Sequence, residues 1–231
     1  YESQTHTLGL ALRGGNHLFE AKFGYQDVPK QLYPNQRMDM LGNEQKRVNL
    51  RYLGQFDWGQ LEARAYYEDV DHYMNFGADK QLAYGTAVNG MPMYSASETT
   101  GLTLKADIDL GSNDLLRLGA LYQHYTLNDW WPPSGTGGMA PNAFQNINDG
   151  RRDRFGLFAE WEKRFSPQWT TLLGARYEMV DSDAGLVHGY NLDTAPLSGS
   201  GGMMAQTTDA VAFNNADRSK TDHNIDLTAL A

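Results

Sequence analysis

The residues whose types and spacing best suit chemistry are His72 and Met74, which lie in the stretch Val70–Asn75. Residues i and i+2 of a β-strand point to the same face, so an extended chain brings the imidazole and the thioether close enough to chelate one ion. Thioether sulfur is a soft ligand that selects Cu(I), and imidazole also suits copper. The pair therefore predicts a metal site. The alternative is a chance pattern, because methionine is also a general gap-filling residue.

Other arrangements that could perform catalysis are absent from the sequence. The pairs Asp71-His72 and Asp222-His223 consist of adjacent residues, which point to opposite faces of a strand and cannot form a dyad. No serine stands in a recognisable nucleophile elbow. The sequence therefore predicts a protein that is not an enzyme, has no catalytic residues and requires no cofactor.

The charge and residue usage narrow the classes of partner. The formal net charge of -9 argues against nucleic acid, whose binding calls for a basic face. Cysteine is absent, which excludes a disulfide framework and a cysteine metal site within these 231 residues. No run of 18 apolar residues is present, so the sequence predicts no transmembrane helix.

The element that must position His72 and Met74 is the stretch Gln60–Met74, whose first half alternates strictly. A period of two is typical of a β-strand with one apolar and one polar side. The polar side is too charged for the interior of a soluble sandwich, and the apolar side is too continuous for a solvent face. Such a strand suits a wall with lipid outside and water inside. The apolar residues are Leu61, Ala63, Ala65 and Tyr67, and the polar ones are Glu62, Arg64, Tyr66 and Glu68.

The same alternation recurs along the chain and predicts about nine strands that follow one another as a meander. Their connections alternate between short and long, as expected for short periplasmic turns and long extracellular loops. The tight turns are Gly14–Asn16, Asp57–Gly59, Gly111–Asp114 and Ser166–Gln168. The long connections are Asp27–Gln45, Asn75–Glu98, Asp129–Gly150 and Ala184–Thr221. The predicted fold is all-β, an antiparallel up-and-down transmembrane β-barrel segment.

Nine strands is an odd number, whereas a bacterial barrel normally closes with an even count. Both outermost strands would have bare edges, which natural sheets avoid. We therefore expect residues 1–231 to be a slice of a larger barrel that does not form a stable closed barrel alone and aggregates when expressed by itself. The alternative is a complete eight-stranded barrel with a stub.

Two segments carry a resemblance to a known family. The sequences F-S-P-Q-W-T-T-L-L-G-A-R-Y-E at Phe165–Glu178 and N-A-D-R-S-K-T-D-H-N at Asn215–Asn224 resemble the barrel of TonB-dependent outer-membrane receptors. The resemblance covers essentially the whole chain. It implies residence in the bacterial outer membrane, contact with outer-membrane lipid, and coupling to TonB through a plug domain that this chain does not contain.

A finer resemblance concerns V-D-H-Y-M-N at Val70–Asn75 and G-M-P-M at Gly90–Met93, which are similar to the TonB-dependent copper receptors. It implies that His72 and Met74 are metal ligands on the barrel wall, completed by ligands from the plug. By the same resemblance, Met91 and Met93 line the approach on the following loop, and copper is the transported ligand.

Three other functions remain open at this stage. A siderophore receptor of the same superfamily would import a metal chelate instead of the metal ion. A passive porin or small structural barrel would have no plug encoded upstream. A soluble β-sandwich binding module would purify without detergent.

Overall fold

The strands form one antiparallel sheet, which we describe from a computed structural model covering residues 2–36, 38–76, 92–133, 143–188 and 208–231. Within these ranges the chain forms nine strands and one short helix, α1. The strands are β1 Glu2–Gly14, β2 His17–Lys30, β3 Asp39–Phe56, β4 Gly59–Asn75, β5 Met93–Gly111, β6 Asp114–Trp131, β7 Phe144–Ser166, β8 Trp169–Asp183 and β9 Lys220–Leu230, with α1 at Thr208–Asn215 between β8 and β9.

The spatial order of the strands is the same as their order in the chain, β1 to β9, and every neighbouring pair is antiparallel. This confirms the predicted up-and-down meander of a partial β-barrel. The predicted tight turns are also present. At the turn between β3 and β4, Gly59 has a φ of +133°, and a Cβ at this position would overlap the carbonyl oxygen of Asp107. Only glycine fits this turn.

The long connections are shorter than predicted. At the end of the sheet where these connections lie, most strands continue beyond their alternating segments. β3 begins at Asp39, β5 at Met93 and β7 at Phe144, all inside ranges that the sequence assigned to loops. We call the strand ends on this side the upper ends. Backbone hydrogen bonding extends the sheet there even though the side chains no longer alternate in polarity.

Helix α1 was not predicted from the sequence. It lies within the predicted connection Ala184–Thr221. Asn214 of α1 holds the segment after β8 in place through two hydrogen bonds. The Val187 N–H donates to Asn214 Oδ1, and Asn214 Nδ2 donates to the Val187 carbonyl, both at 2.8 Å. Arg218, which follows α1, also holds this segment, because its Nε donates to the Ala184 carbonyl at 2.9 Å.

The two faces of the sheet differ as the sequence predicted. One face, called the apolar face, carries large hydrophobic side chains that no other part of the described chain covers. Leu104 is 41% exposed, and Leu157 and Leu173 are each 45% exposed. Because directly paired residues share a face, the register extends this face across the strands, for example from Leu104 to Ala120 and on to Leu157.

The opposite face, called the polar face, carries charged side chains that pair across strands. Arg117 on β6 reaches two carboxylates of β7, Glu160 at 2.6 Å and Glu162 at 2.7 Å. Similar pairs join Arg51 to Glu20 and Glu62, and Arg154 to Glu178. This arrangement satisfies the charges within the wall, so the polar face is suited to line the interior of a barrel.

The described part of the chain has few buried apolar side chains. Those with the lowest exposure are Val28, Met40, Phe76, Ala143, Val180 and Ala210. A single layer of strands cannot enclose a core, so the apolar face needs a partner that is itself apolar. None of the helices in the described ranges is long and apolar enough to cross a membrane.

The two faces give a first testable prediction. We expect spin labels at Leu104, Leu157 and Leu173 to be reached by a lipid-soluble quencher, because these side chains lie on the apolar face. Labels at Lys105, Arg117 and Glu160, which lie on the polar face, should be reached by a water-soluble quencher. Electron paramagnetic resonance on the full-length protein in lipid vesicles measures both accessibilities. A uniform aqueous response at all six positions would contradict the membrane interpretation.

Candidate metal centre

His72 and Met74 lie on the polar face at the upper end of β4. The sequence prediction required that no bulge interrupt β4 between Glu68 and His72. The pairing of β4 with both of its neighbours is continuous through this segment, with His72 opposite Asn43 on β3 and Ser95 on β5. His72 and Met74 therefore share the face that also carries Glu68.

Met93 lies on a strand, and its predicted place on a loop was wrong. It is the first residue of β5 and is paired directly with Met74. Side chains of directly paired residues share a face, with Cβ atoms about 4.5–5.5 Å apart. The structure thus brings two thioethers together across β4 and β5. Met91, the other predicted residue, lies outside the described residues.

A third methionine, Met40 on β3, is paired with Met74 from the other side. Met40 is only 7% exposed, and its backbone exchanges two hydrogen bonds with Gln31 at 2.8 and 3.0 Å. A register shift between Met40 and Gly42 gives it this position. Met40, Met74 and Met93 therefore form a row across three adjacent strands, which we call the methionine row. Sequence reasoning missed Met40 because its segment was assigned to a loop.

The imidazole of His72 is oriented by Asn43. Its Nδ1 lies 3.0 Å from Asn43 Oδ1, so Nδ1–H donates to the amide oxygen and Nε2 keeps its lone pair for a metal. Beyond Tyr67 the residues of β4 on the apolar face are Asp69 and Asp71, so His72 lies above the apolar part of this strand. Burial lowers the pKa of His72 from its ordinary value, and the nearby Asp129 carboxylate acts in the opposite direction. The lowered pKa favours the neutral imidazole, the form that binds metals.

The strand ends that carry the site are held together by buried polar groups. Asp39 and Asn75 are fully buried and paired with each other, next to the Met40–Met74 pair. The Tyr33 N–H donates to Asp39 Oδ1 at 2.7 Å, and Asn75 Nδ2 donates to the Tyr73 hydroxyl at 2.9 Å. These contacts fix the strand ends that present the methionine row.

An aromatic stack supports the same segment from the opposite face. The rings of Tyr73 and Tyr94 have centroids 4.8 Å apart, and Tyr94 and Trp130 follow at 5.7 Å. Such cross-strand aromatic pairs stabilise a sheet beyond the area that they bury. The stack therefore holds β4, β5 and β6 in register directly behind the site.

The arrangement can offer soft, uncharged donors to a metal. One imidazole nitrogen and the sulfurs of Met74 and Met93 form a donor set that suits Cu(I). In the described ranges, no three histidine, aspartate or glutamate side chains converge on a common metal position. The candidate centre thus consists of His72 and the methionine row on one wall, and its remaining donors have to come from elsewhere.

Comparison with known proteins agrees with this fold. A family model described as TonB dependent receptor-like, beta-barrel matches residues 1–223. A solved structure described as Copper transporter OprC superposes with a TM-score of 0.69 over 98% of this chain, at 16% sequence identity. The chain spans 34% of the length of that protein, and at this identity the likeness shows the fold alone. No curated protein matches the sequence. By the family match, which covers nearly its whole length, the chain belongs to the TonB-dependent receptor-like β-barrel family.

Proposed function

We propose that this chain is the wall of an outer-membrane TonB-dependent receptor that imports copper. The observation that carries the proposal is the placement of His72 beside the methionine row on the polar face. Soft thioether donors are poor ligands for hard cations such as magnesium, calcium or manganese, and they favour Cu(I). The description of the structural neighbour as a copper transporter supports the same ligand.

In this proposal, each residue of the site has a separate role. His72 Nε2 and the Met74 sulfur bind the ion, while Met93 offers a second sulfur from the next strand. Met40, buried beside Met74, supports the thioether that binds. A plug domain supplies the remaining donors and couples the receptor to TonB. Outer-membrane lipid covers the apolar face.

Uptake by cells that carry the full-length receptor tests the proposal. Expression should raise cellular copper, measured by mass spectrometry, relative to cells without the receptor. The gain should disappear when TonB is deleted, because import by this class of receptor requires TonB. Manganese should not accumulate, because the donors are soft.

Two other outcomes would replace this proposal by an alternative. Uptake of a ferric chelate, without a gain in copper, would indicate a siderophore receptor. A gain that persists without TonB, and extends to unrelated small solutes, would indicate a passive porin.

A further inference from the structure

The strand next to the candidate centre carries a carboxylate on the same face. Asp129 on β6 is paired with Ser95 on β5, and Ser95 is paired with His72 on β4. The three residues therefore form one row across the polar face. This row lies two residues further from the upper strand ends than Met74 and Met93. Adjacent strands are about 4.8 Å apart, which places Asp129 about 10 Å from His72 between Cα atoms.

The Asp129 carboxylate is only half satisfied in the part of the chain that the structure describes. Its Oδ2 accepts a hydrogen bond from Asn146 Nδ2 at 2.7 Å. Its Oδ1 is buried and has no hydrogen-bond partner among the described residues. A buried carboxylate oxygen without a partner is costly unless a cation or donor compensates it.

The donors of the candidate centre carry no negative charge that could balance a bound cation. Imidazole and thioether are both uncharged, so an ion bound by His72 and Met74 alone would keep its full positive charge in a partly buried site. A charge taken out of water is costly unless an opposite charge lies close by. Asp129 lies in the same cross-strand row as His72, about 10 Å away, which is near enough for its carboxylate to act on a cation bound there.

We propose that Asp129 is the anionic residue of this site, and that its carboxylate, whose Oδ1 is buried, offsets the charge of the metal ion held by His72 and Met74. The inference rests on the proposed function and adds a basis for specificity. A wall with this charge favours a bare cation over a neutral or anionic metal chelate, because only the cation gains from the carboxylate.

The change Asp129→Asn in the full-length receptor tests the inference. Asparagine can still present an oxygen to Asn146, so the local structure is retained while the charge is removed. We expect Cu(I), titrated under anaerobic reducing conditions, to bind about tenfold more weakly, as estimated for one unit charge at this distance. The matched control is Asp107→Asn on the same face. Asp107 lies about 40 Å from His72 along the strands, far beyond the reach of a screened charge.

A second variant separates charge from local structure. The change Ser95→Asp, added to Asp129→Asn, places a carboxylate on the residue that lies between Asp129 and His72. If Asp129 acts through its charge, this double variant should regain the lost affinity, whereas a purely structural role for Asp129 would leave the affinity low.

Each result of the titration has a defined meaning. Unchanged affinity in Asp129→Asn, an equal loss in Asp107→Asn, or no recovery in the double variant would overturn the inference and leave the proposed function standing. A failure of the unaltered receptor to bind copper would overturn the proposed function, and this inference with it.

Discussion

Replacing either His72 or Met74 by alanine in the full-length receptor should weaken copper binding by at least about 100-fold, since residues that only orient a metal ligand already contribute about 10- to 100-fold. Each change removes one donor from a small set, so the remaining donors hold the ion less tightly. Folding should be unaffected, because neither residue is part of the Asp39–Asn75 contact that holds the strand ends. Equilibrium titration with Cu(I) measures the loss, and heat-modifiable migration in electrophoresis reports the folded barrel.

Met179→Ala is the matched control for the methionine change. Met179 is paired with Phe155 on the apolar face of β8, so its thioether points away from the site. Its removal should leave copper affinity unchanged. Wild-type affinity in both His72→Ala and Met74→Ala would show that the pair is structural, and a metal chelate such as a siderophore would then be the better ligand.

The sheet could be predicted from the sequence because one physical constraint governs every strand of a membrane wall. Apolar residues must alternate with polar ones, and a slip by one residue would reverse both faces. This constraint fixed the faces of Leu104 and Lys105, which the structure confirms. It also gave the faces of His72 and Met74, because the alternation of β4 continues without a bulge to its upper end.

The upper ends of the strands could not be predicted because alternation is lost there. Met93 follows Pro92 and precedes Tyr94 and Ser95, a sequence without a polar and an apolar side. Only the hydrogen-bond pairing with β4 shows that Met93 is opposite Met74. Helix α1 was missed for a similar reason, since eight residues make about two turns, too few for a helical period to be visible.

Met40 and Asp129 illustrate a second limit of the sequence. Both are distant from His72 along the chain. Met40 reaches the site because β3 pairs directly with β4, and Asp129 reaches it through one intermediate strand, β5. Met40 additionally depends on a register shift, which moves one residue of β3 out of the regular count. A motif search finds residues that are near one another in sequence. Cross-strand register, in contrast, determines which donors and charges surround them.

A charged substitution on the apolar face, which lipid is proposed to cover, should have the largest effect on stability. Leu157→Arg should lower the free energy of unfolding in lipid vesicles by about 2–4 kcal/mol, the cost of an arginine on the lipid face near the middle of a bilayer. Leu157 is 45% exposed in the chain itself and is paired with Ala120 and Tyr177, so arginine would find no carboxylate among its direct neighbours.

The matched control is the same chemical change on the polar face at the same height. Leu121 follows Ala120, the partner of Leu157, and therefore points to the opposite side of the wall. Leu121→Arg should lower the free energy of unfolding by less than about 1 kcal/mol, because its guanidinium reaches the polar interior instead of hydrocarbon. Denaturant unfolding of both variants, followed by tryptophan fluorescence, gives the comparison. Equal destabilisation by the two changes would show that lipid does not cover the apolar face, and the outer-membrane assignment would then have to be withdrawn.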